Sequence, residues 1–208
     1  MDELKSYILE DYDFSEFPRR ALVLDVGCGD GRQLQELERR GCLPIGIEPD
    51  FSRISGYRNK TLRLIQASGE QIPLKSASCD GLICKVVAPY TNEACVFREI
   101  GRVLKQGAVA HFCYHGAGYY LRYLVCGLSW KYRLYGMRTL VNTWLYATIG
   151  RRLPSFLGDT IYQSHARLRT YYKEYGLRLL EDRPAPTFLG CSVFIYHAVQ
   201  KTPDLGNV

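Results

Sequence analysis

The stretch LVLDVGCGDGRQL, residues 22–34, constrains the fold more than any other part of this sequence. An apolar run reaches Asp25 and is followed by three glycines at alternate positions, Gly27, Gly29 and Gly31, and then by a pattern typical of a helix. Short apolar runs that end at glycine are typical of buried parallel strands. A strand that turns through glycines into a helix predicts the first unit of an open α/β sheet, and such turns often bind phosphate.

The alternation of strand and helix continues through the first half of the chain. Strands that alternate with helices predict right-handed crossovers and a mostly parallel sheet covered on both faces. Two further strand patterns, LRLLEDRPAP and CSVFIYHAVQK, lie near the C-terminus. The fold class is therefore α/β, a Rossmann-like doubly wound sheet of seven strands with helices on both faces. The first five strands are expected at 21–27, 43–50, 62–68, 79–87 and 108–115, with helices at 31–41, 51–57 and 91–107.

The segment after the fifth strand, residues 116–176, breaks this rhythm. It is apolar, aromatic and basic, and its pattern predicts two helices broken near Gly127 or Gly136, then a third helix over 161–176. We expect a helical insertion that covers the carboxyl ends of the strands as a lid. The single domain then has three parts, a Rossmann-like half at 1–115, the insertion at 116–176 and the final strands at 177–208.

Charge and tyrosine are concentrated in this later part of the chain. Residues 110–183 carry 11 Lys and Arg against 4 Asp and Glu, and 11 of the 16 tyrosines lie between Tyr114 and Tyr175. The first 109 residues, by contrast, have 15 basic and 16 acidic side chains. The distribution predicts two functional zones rather than one.

Eight cysteines raise the question of disulfides or a metal site. They form no C-x-x-C pair and no His stands at ligand spacing, and several lie in apolar runs, where Cys behaves as a small hydrophobe. We expect free thiols, no metal and a reducing compartment, the cytoplasm. The acidic N-terminus has no apolar run, and no stretch of about 18 uncharged apolar residues occurs, so neither a secretory signal nor a spanning helix is expected.

The glycine loop and the acid that follows the second strand point to a nucleoside ligand. The spacing G-x-G-x-G differs from the G-x-G-x-x-G of dinucleotide sites, and no Walker lysine follows. Glu48 ends the second predicted strand, where an acid can accept both hydroxyls of a ribose. This pattern indicates a nucleoside without specifying which one.

Four motifs together resemble the class I S-adenosylmethionine-dependent methyltransferases, in particular their small-molecule, ubiquinone-biosynthesis-like branch (methyltransferase type 11). DVGCGDG matches their D-x-G-x-G-x-G loop, and GIEPD matches their acid after strand two. SGEQIPLKSASCDGLIC is similar to D-A-E-x-L-P-F…S-F-D-x-V, and FREIGRVLKQGAVAHF to the E-x-x-R-V-L-K-P-G-G helix and strand. The motifs occur in the family's order and spacing over about residues 20–115, and the resemblance says little about 116–180.

The resemblance implies S-adenosyl-L-methionine as the cofactor. It assigns the glycine-loop backbone to the methionine end, Asp25 to the α-amino group, Glu48 to the ribose, and Gly69 and Glu70 to the adenine. Ser68 stands where the family often has Asp, and its hydroxyl is a weaker partner for the adenine amino group. The residues expected to bind the cofactor are Asp25, Gly27, Cys28, Gly29, Gly31, Glu48, Pro49, Ser68, Gly69, Glu70 and Lys85.

Two histidines are candidates for the catalytic base. Methyl transfer from a sulfonium is an in-line displacement that relies on positioning and exclusion of water, and a hydroxyl acceptor is helped by a base such as His. His115 follows the fifth predicted strand, where an acceptor would approach, and His165 lies in the presumed lid. His111 and His197 lie inside strands and are expected to be structural.

The sequence leaves three interpretations of the insertion open. It forms a pocket for a small-molecule acceptor, or a peripheral membrane contact through 116–150 that takes a lipid-like acceptor, or an RNA surface, which no accompanying RNA-binding motif supports. The favoured function is methyl transfer to a small-molecule hydroxyl or a similar nucleophile. The alternatives are a lipid or quinone methyltransferase at a membrane, an RNA methyltransferase, and a non-catalytic cofactor-binding paralogue.

Overall fold

The architecture follows from a computed structural model that describes residues 16–50, 52–53, 63–87, 90–154, 157–158 and 160–203. Among the described residues, strands predominate up to β5, with β3 leading directly to β4, and three consecutive helices follow β5. In chain order the elements are β1 (Leu22–Val26), α1 (Arg32–Arg39), β2 (Leu43–Glu48), β3 (Arg63–Gln66), β4 (Cys79–Lys85), α2 (Glu93–Val103), β5 (Leu104–His115), α3 (Ala117–Cys126), α4 (Trp130–Ile149), α5 (His165–Glu174), β6 (Leu177–Arg183), β7 (Thr187–Phe188), β8 (Cys191–Ser192) and β9 (Phe194–Lys201).

Seven of these strands form one sheet in the order β3-β2-β1-β4-β5-β9-β6. Strands β1 to β5 are parallel, whereas β9 runs antiparallel to both β5 and β6. The strand order reverses between β1 and β4, so the carboxyl ends of these two strands flank the crevice where ligands bind in open α/β sheets. The predicted fold class, a doubly wound seven-stranded sheet, is confirmed.

Alternation along the strands divides the core into two layers. Leu24, Leu82 and Phe112 pack on one face of the sheet with α2 and α5, and we call this the α2 face. Val23 and Ile83 pack on the other face with α1, and we call this the α1 face. Because side chains alternate along a strand, the register of the sheet decides which polar residues share a face.

The clearest difference from the predicted boundaries lies at the start of β5. The helix predicted over 91–107 ends at Val103, and the residues that follow begin β5 because Leu104 is extended and pairs with Cys79 of β4. The insertion breaks at Gly127, while Gly136 lies within α4. Of the helix predicted at 51–57, only residues 52–53 lie in the described part of the chain, and they are helical.

Helix α4 packs small and polar residues inward. Its buried residues are Gly136, Thr139, Asn142 and Thr143. The Asn142 side chain donates to the Thr160 carbonyl at 2.9 Å and accepts from the Leu153 amide at 2.7 Å. A Cβ atom at Gly136 would lie 2.6 Å from the carbonyl oxygen of Tyr120, so glycine allows α3 and α4 to cross closely. Hydrogen bonds and close backbone contact therefore hold the inner side of this helix.

A buried carboxylate ties the end of the insertion to α2. Glu93, the first residue of α2, is 1% exposed. Its carboxylate accepts hydrogen bonds from the Gln163 amide and, at 3.1 Å, from the Tyr171 hydroxyl. The guanidinium groups of Arg152 and Arg167 lie 3.8 Å and 3.7 Å from the same carboxylate. Several parts of the segment after α4 thus converge on one anionic side chain.

Candidate active site

The glycine loop leaves β1 in a conformation that favours glycine. Gly27, Gly29 and Gly31 have φ angles of 72°, 53° and 69°, in the left-handed region. A Cβ atom at Gly27 would also lie 2.4 Å from a methyl group of Val87. The amides of Gly27 and of the following residue donate to the Ile47 carbonyl at 2.8 Å and 3.1 Å. The loop is therefore fixed against the end of β2.

Glu48 is held in the crevice by the backbone of the loop. It is 5% exposed, at the carboxyl end of β2. One carboxylate oxygen accepts from the Gly29 amide at 3.0 Å, and the other accepts from the Asp50 amide at 3.2 Å. Each oxygen keeps a further lone pair, so the carboxylate can accept two more hydrogen bonds side by side. A pair of adjacent ribose hydroxyls fits this acceptor geometry.

Asp25 is a buried carboxyl group that is suited to a cationic partner. It is 3% exposed and pairs with Ile83 of β4, so its side chain lies on the α1 face together with that of Lys85. Burial raises the pKa of Asp25 to about 7; the Lys85 ammonium group opposes the shift and Glu48 adds to it. Lys85 itself donates to the side-chain oxygen of Gln33. An α-amino group would stabilise the charged form of Asp25.

Cys28 contributes its size and backbone to the loop rather than a thiolate. Burial, and to a smaller extent the Asp25 carboxylate, raises the pKa of its thiol to about 12. A Cβ atom at Gly46 would lie 2.6 Å from the Cys28 sulfur, so the thiol packs closely over β2. The Pro49 carbonyl accepts from the Gln66 amide group at 3.3 Å, which connects the ends of β2 and β3.

The residues expected beside the adenine form a tight turn that contacts α2. The Ser68 hydroxyl accepts from the Glu70 amide at 3.2 Å, and the Glu70 carboxylate accepts from the Asn92 amide at 2.6 Å. A Cβ atom at Gly69 would lie 2.9 Å from a methyl group of Val26. The turn is thus packed against the end of β1, and part of the Glu70 carboxylate is used to hold the start of α2.

Val86 is a strained residue that sequence reasoning did not identify. Its φ angle is 56°, a left-handed conformation that is a genuine outlier for a β-branched side chain. Its amide donates to the Cys113 carbonyl at 2.8 Å, which ties the residue to β5. Val86 follows β4 directly at the switch point of the sheet, and strain of this kind concentrates at functional sites. No local sequence signal distinguishes it from an ordinary strand valine.

His115 lies on the same face of the sheet as Asp25 and Lys85. Lys85 pairs with Cys113 of β5, and His115 is two residues further along that strand. Its ring stacks on Tyr119 with centroids 3.7 Å apart, and its Nδ1 atom has no hydrogen-bond partner among the described residues. Burial lowers the pKa of His115 to about 3, so the imidazole is neutral near pH 7. One candidate base is therefore on the face that carries Asp25.

His165, the second candidate base, does not lie on the α1 face with His115. It is the first residue of α5, and its Nδ1 atom is 3.2 Å from His197 Nε2 and 3.1 Å from an oxygen of Asp182. His197 pairs with Phe112, whose side chain is on the α2 face. The structure does not bring His165 beside His115 or the glycine loop.

Tyrosines from the insertion form an aromatic cluster above the end of β5. The Tyr119 and Tyr123 hydroxyls are 3.1 Å apart, and the Tyr90 hydroxyl, after β4, is 3.4 Å from that of Tyr135 in α4. The ring of Tyr120 is fully buried between them, 5.2 Å from Tyr119 and 5.7 Å from Tyr135. Burial raises the pKa of Tyr90 and Tyr119 well above the usual range, so these phenols stay protonated. The cluster offers flat apolar walls with neutral hydroxyls.

The outer side of α4 is apolar, which is the reverse of an ordinary surface helix. We call five of its exposed apolar residues the α4 stripe. The spacing of four and three residues places them in one line along the helix, each between 45% and 69% exposed. Among the described residues, no helix is both long enough and apolar enough to cross a bilayer. The α4 stripe consists of Trp130, Leu134, Met137, Val141 and Trp144.

Comparison with known proteins agrees with this arrangement of strands and loop. Residues 24–112 match the family model described as Methyltransferase domain. Over this segment the chain is similar to the class I S-adenosylmethionine-dependent methyltransferases, which also include solved structures with the same fold. The expectations of family, fold and enzyme class from the sequence are confirmed for this domain, whose matched segment ends three residues before His115.

The similarity of this chain to solved structures extends beyond the matched segment. A SAM-dependent methyltransferase of Methanosarcina mazei is 19% identical with a TM-score of 0.64, over 89% of this chain and 94% of that one. A 1,6-didemethyltoxoflavin-N1-methyltransferase of Burkholderia thailandensis, solved with 1,6-didemethyltoxoflavin and S-adenosylhomocysteine, is 12% identical with a TM-score of 0.58, over 89% and 72%. At these identities the likeness shows a shared fold.

A curated relative is closer in sequence over a shorter stretch. An uncharacterized protein of Methanocaldococcus jannaschii is 36% identical over 92 residues, which are 43% of this chain and 35% of that one. The chain therefore matches only about a third of the length of this relative.

Proposed function

We propose that this domain binds S-adenosyl-L-methionine at the glycine loop and transfers its methyl group to a hydroxyl of a small-molecule acceptor held under the insertion. The observation that carries the proposal is the face shared by Asp25, Lys85 and His115 at the carboxyl edge of the sheet. This face combines a site for a zwitterionic nucleoside with the neutral imidazole of His115, which lies beneath the tyrosine cluster.

The donor side of the site fits the cofactor in its charge and hydrogen bonding. Asp25 would hold the α-amino group, the amides of the loop the methionine end, and Glu48 the ribose hydroxyls. When bound, S-adenosylmethionine supplies a methyl group on a positively charged sulfur, which an acceptor oxygen displaces in line. Lys85, beside Asp25 on the α1 face, would line the methionine end of the site.

His115 would orient the acceptor and receive its proton. The unpartnered Nδ1 atom accepts a hydrogen bond from the hydroxyl, and stacking on Tyr119 fixes the plane of the ring. During methyl transfer this nitrogen would take up the hydroxyl proton. Because its pKa is lowered to about 3, the imidazole is a weak base, so its larger contribution is positioning. Flat phenol-like acceptors fit the tyrosine walls best.

Calorimetric titration with S-adenosylmethionine tests the donor site. The variant Glu48→Gln keeps an oxygen for the Gly29 amide but loses the charge, and it should bind about 10- to 100-fold more weakly because charge-assisted hydrogen bonds are lost. Asp50→Asn is the matched control, since Asp50 is exposed and bonded to Ser52. Absence of binding at millimolar cofactor, or equal loss in both variants, would refute the proposed donor site.

A labelling experiment tests the acceptor class. Protein, methyl-labelled cofactor and a cell extract are incubated together, and the extract is then separated into aqueous small molecules, solvent-extractable lipids, RNA and protein. Label in the aqueous small-molecule fraction, reduced when His115→Ala replaces the wild type, supports the proposal. Label in RNA or protein contradicts it. Cofactor binding without any transfer would favour the non-catalytic paralogue.

A second candidate function has an observation of its own, the α4 stripe. Residues 116–154 contain six Lys and Arg and no Asp or Glu. Exposed Trp and aliphatic side chains on a helix with neighbouring basic residues are typical of helices that lie in a membrane interface. An anionic lipid surface would complement both the charge and the apolar side chains. The acceptor would then be lipid-like and reach the tyrosine cluster from the membrane.

Vesicle binding separates the two candidates. The double variant Trp130→Ser, Trp144→Ser should bind anionic vesicles at least about tenfold more weakly than the wild type, since it loses the largest apolar groups of the stripe. Leu189→Ser, at a 70% exposed position in the β7–β8 turn, is the control and should bind as the wild type does. If the wild-type protein does not bind anionic vesicles at low salt, the membrane candidate is refuted.

A cytoplasmic location also belongs to the proposal. All eight cysteines are free thiols, and five of them are buried. Unpaired cysteines in this number suit a reducing compartment.

A further inference from the structure

Two histidines and one aspartate converge at the sheet edge away from the glycine loop. They are His165 at the start of α5, Asp182 on β6 and His197 on β9. Their donor atoms are 3.1 Å apart for His165 and Asp182, 3.2 Å for His165 and His197, and 3.4 Å for His197 and Asp182. Nitrogen and oxygen ligands at about 2.05 Å from one zinc ion would be about 3.3 Å apart at the corners of a tetrahedron.

A bulge in β6 brings Asp182 into this cluster. Leu179 pairs with Val199, and regular pairing would place Glu181 opposite His197. The register shifts between Leu179 and Glu181, so that Asp182 stands opposite His197 instead. Bulges of this kind re-aim side chains and are common beside functional sites. The shorter acid is therefore directed to the imidazole, and the longer one is moved aside.

A chain of hydrogen bonds orients the buried histidine. The His197 side chain is fully buried, and its Nδ1 atom is 2.9 Å from the Tyr172 hydroxyl, which is 3.2 Å from the Tyr114 hydroxyl. When Nδ1–H donates to Tyr172, the lone pair of Nε2 points at His165 and Asp182. Metal-binding histidines are usually held through their second nitrogen in this way. The hydrogen bonds that orient His197 therefore lie in the core and do not depend on the exposed side chains of His165 and Asp182.

The outer side of the cluster is accessible. The side chains of His165 and Asp182 are 40% and 33% exposed, so an ion and its remaining water ligands can enter. Arg169, one helical turn after His165, places its guanidinium 3.5 Å from Asp182 and is 59% exposed. This cation competes with a metal ion for the carboxylate, but it can turn outward into solvent.

We propose that His165 Nδ1, His197 Nε2 and the Asp182 carboxylate bind one divalent transition-metal ion of the zinc type. The ion would fasten the start of α5, where the insertion returns to the sheet, to the β6–β9 edge. It lies on the α2 face, whereas Asp25 and His115 are on the α1 face, so it is separate from the proposed methyl-transfer centre.

Cobalt titration of the full chain after removal of metals by chelator tests the site. Co²⁺ is the probe because its visible spectrum reports tetrahedral coordination and shows sulfur ligands by their charge-transfer bands. We expect one equivalent to bind without sulfur bands, and Zn²⁺ to displace it and to raise the unfolding temperature. No binding at millimolar Co²⁺, or a spectrum dominated by sulfur ligation, overturns the proposal.

Four variants make the assignment specific. His165→Ala and Asp182→Asn, at partly exposed positions, should each weaken cobalt binding at least about tenfold. Glu181→Gln, the neighbouring acid that the bulge moves aside, should leave binding unchanged. Arg169→Gln should tighten binding, because a competing cation is removed. Equal affinity in wild type, His165→Ala and Asp182→Asn overturns the proposal.

Discussion

The glycine loop and the insertion depart from ordinary packing in opposite directions. At the loop, carboxyl groups are buried, with Asp25 and Glu48 only 3% and 5% exposed. In the insertion, α4 buries Asn142 and exposes Trp144 to 64%. Buried acids are costly unless a partner stabilises them, and an apolar stripe is costly unless something covers it. We therefore propose that each region meets a partner, the loop a zwitterionic ligand with an α-amino group and α4 an apolar surface.

The two regions are also held in different ways. The loop is fixed by backbone hydrogen bonds to the end of β2 and by the parallel register of the sheet. The insertion is fixed by a few side chains, chiefly Glu93 and Asn142, that bond to distant segments. Substitutions that strain the backbone should therefore destabilise the loop most. Substitutions that remove a single polar side chain should destabilise the insertion most.

The largest effect is expected at Gly27. The variant Gly27→Ala combines a left-handed backbone with a Cβ contact of 2.4 Å to Val87, and it should lose about 2–4 kcal/mol of stability and bind cofactor poorly. Gly190→Ala is the control, with a similar φ of 76° but no atom within 4 Å of the new Cβ. It should cost about 1 kcal/mol. Urea unfolding and calorimetry measure both, and equal costs would show that the loop is not packed as described.

Glu93→Gln tests how the insertion is anchored. The change leaves the guanidinium groups of Arg152 and Arg167 near a neutral side chain, at positions only 19% exposed, and should cost about 2–3 kcal/mol. Glu36→Gln, which breaks a surface ion pair with Arg39, is the control and should change little. Urea unfolding measures the cost. A cost no larger than that of Glu36→Gln would mean that Glu93 does not anchor the insertion.

A pair of variants on α4 tests its reversed polarity. Asn142→Ala removes the bonds to Thr160 and Leu153 and should cost about 2 kcal/mol. Trp144→Ser removes a larger, apolar side chain from the outer side and should change stability by less than about 0.5 kcal/mol. Thermal unfolding compares them. A greater cost for Trp144→Ser would mean that the α4 stripe is packed within the protein and is not available to a partner.

The local sequence pattern was sufficient to predict the glycine loop. It was not sufficient to predict side-chain clusters that form through the register of distant strands. Asp25, the glycines and Glu48 are close in sequence or at equivalent strand ends, so period and spacing predicted their neighbourhood. Asp182, by contrast, lies beside His197 because of a bulge that the sequence pattern of β6 does not indicate. The sequence also did not predict that the apolar side of α4 is exposed, since apolar residues at helical spacing usually predict burial.

The smallest expected effect is the pH dependence that the buried Asp25 gives to the glycine loop. Burial raises the pKa of Asp25 from its ordinary 3.8 to about 7, so the folded protein without ligand holds this proton more tightly than the unfolded chain does. The contribution of Asp25 to stability is therefore highest below pH 3.8 and falls as the pH rises towards 7. Cofactor affinity should change in the opposite direction, because only the carboxylate attracts the α-amino group.

Calorimetry between pH 6.5 and pH 8 should accordingly show an increase in S-adenosylmethionine affinity of about fourfold, as the ionised fraction of Asp25 grows. Asp25→Asn should bind more weakly at every pH and remove the slope. His115→Ala should keep the slope, because its imidazole is already neutral throughout this range. A slope that persists in Asp25→Asn would assign the titration to another group, and the burial of Asp25 would then have to serve the fold rather than the ligand.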